Sequence, residues 1–342
     1  MSETMSDSSP FTPGDPRKPW HWHPELPIGH PPLFVWPPQP VNLLKWIVGR
    51  GVLHSQHMLY LGLAFIAWYA TPSLERMATF EAGWIAEIWL RNLVMFGGVT
   101  LALHLWFYTF RAQGDTHKFD AKPLATNNPK FLFGRQVWDN VVWSMVSGIT
   151  IATVFEVVVW WFWANGFVGW FSWSDGPVWF VGLFVVVLVF EDVHFYLQHR
   201  LLHWKPLYRF HALHHHNVTT GPWSGLSMHP VEHVFYLSSL VFHLIVVSHP
   251  LHMLYHFFWL TTGASLGHTG FQNIDVKGKN VLDAGTLFHT LHHRFYTCNY
   301  GLGTVPIDKW VGSFHDGTAA ATTRIMKQNL KLKAGMASAP DA

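Results

Sequence analysis

Three short histidine runs hold the residues best suited to chemistry. HRLLH supplies His199 and His203, HALHHH supplies His211, His214, His215 and His216, and HTLHH supplies His289, His292 and His293. On a helix, positions i, i+3 and i+4 share a face. His199/His203, His211/His214/His215 and His289/His292/His293 therefore each present imidazoles to one side, with His216 about a quarter turn away. One metal takes about four to six ligands, so eight nitrogens in register imply two metals, or one metal with much redundancy, and imidazole suits iron, zinc, copper and nickel. The same imidazoles packed without a metal would repel one another once protonated. Asp192 and Tyr196 continue the His199 face upstream. HPVEH offers His229 and His233, and GHTGF offers His268. Spacing alone leaves these open between ligand and polar packing. The isolated His54, His57, His104, His243, His252 and His256 read as packed polar residues, and His21, His23 and His30 as solvent-facing.

The elements that must position these groups are apolar. Only 12% of the 342 residues are charged while 49% are hydrophobic, and 20 Trp and 27 Phe exceed what one soluble core needs. Trp collects at membrane boundaries, where its ring has one apolar and one wet side. Four stretches approach the roughly 20 apolar residues that a bilayer requires: about 51–70, 85–110, 137–163 and 177–196. A further apolar region, 231–262, is split by His249-Pro250 and reads as a re-entrant or interfacial hairpin. The expected fold is all-α: a polytopic membrane protein of about four transmembrane helices plus that hairpin, under a histidine-rich helical cap. Arg17, Lys18, Lys45 and Arg50 precede the first span, and Arg111, Lys118, Lys122, Lys130 and Arg135 lie between the second and third. By the positive-inside rule these segments are cytosolic, which places the histidine cap on the cytosolic face as well.

Residues 1–45 read as a mobile Pro-rich arm, 46–317 as the membrane-embedded domain, and 318–342 as a polar tail with a short helix. No secretory signal is recognisable. No endoplasmic reticulum retrieval signal is visible either, which favours a bacterial inner membrane over that organelle. Cys298 is the only cysteine, so an intramolecular disulfide, thiolate zinc sites and iron–sulfur clusters are excluded. The net charge of +2 and scattered basic residues give no nucleic-acid footprint.

The order and content of EDVHFYLQHRLLHWKPLYRFHALHHH, MHPVEH, GHTGF and HTLHHRFYTCNYG resemble the fatty acid hydroxylase/sterol desaturase superfamily over about 180–317. The motifs are most similar to methylsterol monooxygenase and sterol C5-desaturase types. The resemblance implies a four-span membrane protein with a cytosolic di-metal site. Its ligands would fall on His199, His203, His211, His214, His215, His289, His292 and His293. His268 stands where the family has a further ligand, and His229 matches its HPxE element. Some members carry two histidines four apart before the last cluster, whereas position 264 here is Ala. Asp192, Tyr196, Glu232, Asn299 and Asp308 are candidates to orient the imidazoles.

Together these observations predict O₂-dependent oxidation of a lipid C–H bond at a centre of two iron ions (Fe2+/Fe3+), with zinc a possible substitute in purified protein. No acid or base attacks such a bond, so a redox metal must supply the chemistry. The substrate would be a membrane lipid: a sterol, a fatty acyl chain or a related molecule. Hydroxylation and desaturation are nearly balanced, with a slight lean to hydroxylation. No dinucleotide fingerprint or fused haem domain is present, so an external reductase with a ferredoxin or cytochrome b5-like carrier is expected, for which Lys277, Lys279 and Lys309 could form a dock. Trp160, Trp161, Trp163 or Trp223 could shape a lipid path, although ordinary interface anchoring explains them better. The alternative is a membrane haem or metal-binding/transport protein without oxidase activity. It leaves the clusters unexplained, because Glu87, Arg91, Asp139 and Glu156 are thin polar content for a transport path.

Overall fold

The computed structural model describes residues 20–49, 51–52 and 55–337, without the side chains of 332–337. His54, Arg17, Lys18, Arg50 and the first part of the N-terminal arm lie outside the described residues.

The described residues are mostly helical. The main helices are α1 (Pro40–Val48), α2 (Gln56–Tyr69), α3 (Ala82–Thr109), α4 (Gln136–Ala164), α5 (Pro177–Leu202), α6 (Tyr208–His215), α7 (Pro230–Ile245), α8 (Pro250–Phe258), α9 (Leu287–Phe295) and α10 (Ala319–Ala337). Three of them, α3, α4 and α5, are long and apolar enough to cross a membrane, at 28, 29 and 26 residues. The stretch 51–70, expected to be a fourth span, forms the 14-residue α2. At 1.5 Å per residue it reaches only about 21 Å, short of the roughly 30 Å hydrocarbon core. Position 249–250 does break the 231–262 region, where Pro250 opens α8. α2 packs along α8, with the Trp68 ring edge-on to His249 at 4.7 Å and the Tyr255 hydroxyl 2.8 Å from His57 Nδ1.

The charges within the spans are answered from inside the bundle. Arg91 Nη2 on α3 meets Glu156 Oε1 on α4 at 2.5 Å, Asn92 donates to Glu156 Oε2 at 2.8 Å, and Trp160 Nε1 donates to Glu156 Oε1 at 2.9 Å. Glu156 is fully buried, and an ionised side chain there without partners would cost several kcal/mol. This network ties α3 to α4.

At 26 residues, α5 is about 39 Å long, some 9 Å more than the hydrocarbon core. Its last two turns therefore emerge at one end of the bundle and carry His199 there. The cap is built around them from α6, α9, the short helices Pro222–Leu226, Ala264–Gly267 and Ile307–Trp310, and a two-stranded ribbon. The ribbon pairs β1 (Asn273–Val276) antiparallel with β2 (Lys279–Asp283). It is a departure from the all-helical expectation. Lys277 and Gly278 both take positive φ, the signature of a two-residue hairpin turn.

Residues 20–39 of the expected mobile arm are laid along the cap. Trp20, Trp22, Leu26 and Ile28 pack on the buried cluster of Phe119, Leu287, Leu291, Phe295, Cys298 and Ile325. The Ile28 amide donates to Asp316 O, and His30 Nδ1 lies 3.0 Å from Gly303 O. Ile325, on α10, brings the tail into the same cluster, so the helix there is longer than the sequence suggested.

Candidate metal centre

Nine imidazoles converge at the cap end of the bundle in two adjacent groups. His199, His203, His211, His215 and His292 form one; His214, His268, His289 and His293 form the other. Within each group the nearest ring nitrogens lie within 4.8 Å of one another. In the first, Nε2–Nε2 separations are 3.0 Å for His199–His211, 3.2 Å for His203–His292, 3.2 Å for His203–His215 and 3.1 Å for His215–His292. In the second they are 3.3 Å for His214–His268 and 3.0 Å for both His268–His293 and His268–His289. The helices α5, α6 and α9 supply seven of the nine, at the i, i+3, i+4 positions read from the sequence, and His203 follows directly as the C-cap of α5. His268 comes from the end of Ala264–Gly267.

The hydrogen bonds on the other side of the rings decide what these contacts are. Nδ1 of His199 lies 2.7 Å from Tyr300 O, that of His292 2.7 Å from Cys298 O, that of His268 2.8 Å from Ala264 O, and that of His214 3.3 Å from Ser227 O. His211 Nδ1 lies 2.6 Å from Glu232 Oε1. A carbonyl only accepts, so each facing Nδ1 must carry the proton, leaving Nε2 as a bare lone pair. His214 and His268 thus aim two lone pairs at each other across 3.3 Å, and neither can donate. His199 and His211 do the same at 3.0 Å once the Glu232 carboxyl accepts from His211. Protonation does not resolve this, because burial, reinforced by repulsion from neighbouring imidazoles, holds His211, His214, His215, His289, His292 and His293 well below their ordinary pKa; burial brings His268 down to about 4. A cation bound by both nitrogens resolves it. With metal–nitrogen bonds near 2.1 Å, adjacent ligands around one ion stand about 3.0–3.4 Å apart, which is the spacing found. The residues present therefore fit a metal in each group.

The carboxylates foreseen as orienting groups act through the backbone. Asp192 accepts the amides of Leu302 and Val305 at 2.9 and 2.6 Å. Asp308 accepts those of Tyr300 and Gly301 at 2.9 and 2.8 Å. Together they clamp the 300–305 loop, whose Tyr300 carbonyl holds His199. Asn299 joins Phe288 O and His315 O to the same loop. Glu232 alone touches a ring directly, and burial raises its carboxyl well above the usual range. Tyr196 bonds no imidazole of either group and packs edge-on against Tyr300 at 6.4 Å.

His229 does not join either group. Its Nδ1 accepts the Val231 amide at 3.1 Å, so it caps the first turn of α7. His233 lies 3.0 Å from Ser147 Oγ and 3.1 Å from Leu226 O, a packed polar role. Ala264 supplies the site through its carbonyl rather than a ring.

A cavity of about 130 Å³ opens on the second group through His214, His268 and His289. Its walls include Tyr60, Phe195, Met228, Tyr236, Trp259, Leu260 and the loop residues Gly301 and Leu302, with Gln56, His57 and Glu191 as polar points. Sequence reasoning missed Tyr60, Glu191 and Trp259 here, because each sits in a segment that reads as ordinary membrane helix. The tryptophans considered for a lipid path lie elsewhere: Trp160 and Trp163 are buried in the bundle core, and Trp223 packs edge-on against Phe96 at 6.1 Å.

Comparison with known proteins finds similarity over the same segment. A fatty acid hydroxylase family model matches residues 184–313, the segment that carries α5 through α9. The segment that carries the histidine groups is thus similar to the fatty acid hydroxylase/sterol desaturase superfamily. Among similar curated proteins, the Delta(7)-sterol 5(6)-desaturase of Eremothecium gossypii is 30% identical over 133 residues, covering 38% of this chain and 36% of that protein. That of Saccharomyces cerevisiae is 32% identical over 128 residues, or 37% and 34% of the two chains. The Delta(7)-sterol-C5(6)-desaturase of Nicotiana tabacum is 29% identical over 242 residues, or 67% and 83%. The matches to the two fungal proteins span about a third of their length. These relatives are fungal and plant proteins, which does not support the expectation of a bacterial membrane. No solved structure matches the chain.

Proposed function

We propose that this protein is a membrane oxidoreductase that uses O₂ to oxidise a C–H bond of a sterol-type lipid at a di-iron centre. The observation that carries the reading is the convergence of nine imidazoles in two groups beside an apolar cavity, with His214 and His268 aiming bare Nε2 atoms at each other across 3.3 Å. His199, His203, His211, His215 and His292 would hold one iron, and His214, His268, His289 and His293 the other. Bound there, the irons supply the redox chemistry with O₂ that no side chain offers.

The remaining work falls to the protein. Phe195, Met228, Tyr236, Trp259 and Leu260 exclude water and take the apolar body of the lipid, presenting one carbon toward His268 and His289. Ala264, Ser227, Tyr300 and Cys298 keep the Nδ1 protons of His268, His214, His199 and His292 in place through their carbonyls, so the Nε2 atoms of these four stay available. Net hydroxylation converts R–H, O₂, two electrons and two protons into R–OH and water. Net desaturation removes two hydrogens and reduces O₂ to two waters. The names of the relatives favour desaturation over the lean that the sequence suggested. The electrons come from an external ferredoxin or cytochrome b5-like carrier, for which the exposed Lys277, Lys279 and Lys309 offer a basic dock on the cap. The basic 111–135 segment, whose Phe119 packs in the cap, favours a cytosolic cap.

The test compares lipid mass spectra of an aerobic host carrying the intact gene or His292→Ala. A product lighter by two hydrogens, present only with the intact gene, shows desaturation; one heavier by an oxygen shows hydroxylation. Identical spectra with both proteins in the membrane would overturn the proposal.

A further inference from the structure

A second buried histidine chain lies outside both groups. Glu191 on α5 lines the cavity, and its Oε2 is 2.9 Å from His256 Nε2 on α8. His256 Nδ1 is 3.2 Å from His243 Nε2 on α7, and His243 Nδ1 is 2.8 Å from Ser248 Oγ. Ser239 Oγ stands 3.3 Å from His256 Nε2 as a side partner. All five residues are essentially without solvent exposure. Ser248 lies at the end of the bundle opposite the cap, where its carbonyl accepts the Phe171 amide from the loop that precedes α5. Its neighbours Val247 and His249 reach the surface there.

A buried glutamate needs one partner, and His256 alone would satisfy it. Here each imidazole is bonded through both nitrogens, and the series continues to the far face. One polarity suits every link: Ser248 donates to His243 Nδ1, His243 Nε2–H to His256 Nδ1, and His256 Nε2–H to the Glu191 carboxylate. Intramembrane carboxylate–imidazole series of this kind serve proton movement.

We propose that Ser248, His243, His256 and Glu191 form a proton-conducting chain from the membrane face opposite the cap into the oxidation cavity. The inference rests on the oxidase reading, since either outcome takes up two protons per O₂ and the cavity walls are largely apolar. When the Glu191 carboxyl releases its proton to the cavity, its carboxylate takes the Nε2 proton of His256. His256 Nδ1 then takes the proton of His243 Nε2, His243 Nδ1 takes that of Ser248, and water at the 246–249 loop restores the hydroxyl. One proton enters, one leaves, and nothing is oxidised or reduced. The other titratable groups facing the chain are engaged elsewhere. His194 is bonded to Ser238, Asp192 to the Leu302 and Val305 amides, Tyr236 to Leu260 O, and His252, beside His243, to Phe180 O.

The test needs no turnover, so a failure of the oxidase reading leaves its result interpretable. The full-length protein is reconstituted in vesicles whose two aqueous sides are buffered independently, then exposed to a hydrophobic carbodiimide, which couples only to a protonated carboxyl. Modification of Glu191 is read by peptide mass. Acidifying the 246–249 side is expected to raise the Glu191 labelling rate, with little response to the cap side. His243→Phe and His256→Gln should lose that dependence while keeping native helicity and metal content; the glutamine amide bonds both neighbours but does not pass a proton between them. Should either variant misfold, the sidedness of the native protein still decides. Labelling that tracks cap-side pH, responds equally to both sides or never reaches Glu191 would overturn the proposal.

Discussion

The clamp on the 300–305 loop makes Asp308→Asn the most informative single change. Asp308 is 2% exposed and accepts three hydrogen bonds: Oδ1 from the Tyr300 amide at 2.9 Å and the Ser313 hydroxyl at 2.6 Å, and Oδ2 from the Gly301 amide at 2.8 Å. Asparagine keeps the shape but puts an NH₂ against the Gly301 N–H, where donor meets donor. An orphaned buried amide costs about 1–3 kcal/mol, and the two remaining bonds lose the assistance of the charge, so the clamp weakens by about 3 kcal/mol. Asp192 still holds Leu302 and Val305, so only part of that reaches the metal. His199 hangs from Tyr300 O, whereas the group of four draws on Ala264 and Ser227 instead. The expectation is a 10–100-fold loss of affinity confined to the group of five. A competition titration of the purified protein with Co(II) or Zn(II), following both sites separately, measures it. Equal loss at both groups, or none at either, would refute the chain of contacts from Asp308 to His199.

The remaining expectations are simpler. His268→Ala should remove the metal of the second group and leave the first, whereas His229→Ala should retain both metals and cost only the cap of α7, about 1 kcal/mol; elemental analysis and thermal melting separate the two. Gly225→Ala should destabilise by about 3 kcal/mol or more, because the new Cβ would stand 2.1 Å from the Ala264 carbonyl oxygen, a backbone atom that also positions His268. Gly182→Ala, where nothing lies within 4 Å of the added carbon, is the neutral control in the same melting experiment. Burial pushes His233 and His268 down to about 4, while an unfolded imidazole titrates near 6.5. Between these values the unfolded chain binds protons that the fold refuses, so these two groups make stability fall as pH drops from about 6.5 to 4. Denaturant melts of the metal-free protein across that window check the sign; a rise in stability on acidification would contradict it.

Local chemistry was legible in the sequence. The spacings of HRLLH, HALHHH and HTLHH dictate shared helical faces, because 3.6 residues per turn brings i, i+3 and i+4 together whatever the surroundings. The apolar lengths of α3, α4 and α5 announced membrane spans for an equally local reason. Which nitrogens face one another was not legible. His214 is sequence neighbour to His215, yet the two serve different groups, since successive residues on a helix diverge by about 100° and α9 meets both directions at once. Spacing alone left His268 and His229 equally open; only the packing of Ala264–Gly267 against Pro222–Leu226 carries one into the site, while the other caps α7. The Glu191–His256–His243 series draws on three helices, and no spacing within one segment could have revealed it. Sequence periodicity determines what a single element presents, but the meeting of elements depends on close packing between them, and that is where the two histidine groups, their lone pairs and the cavity were decided.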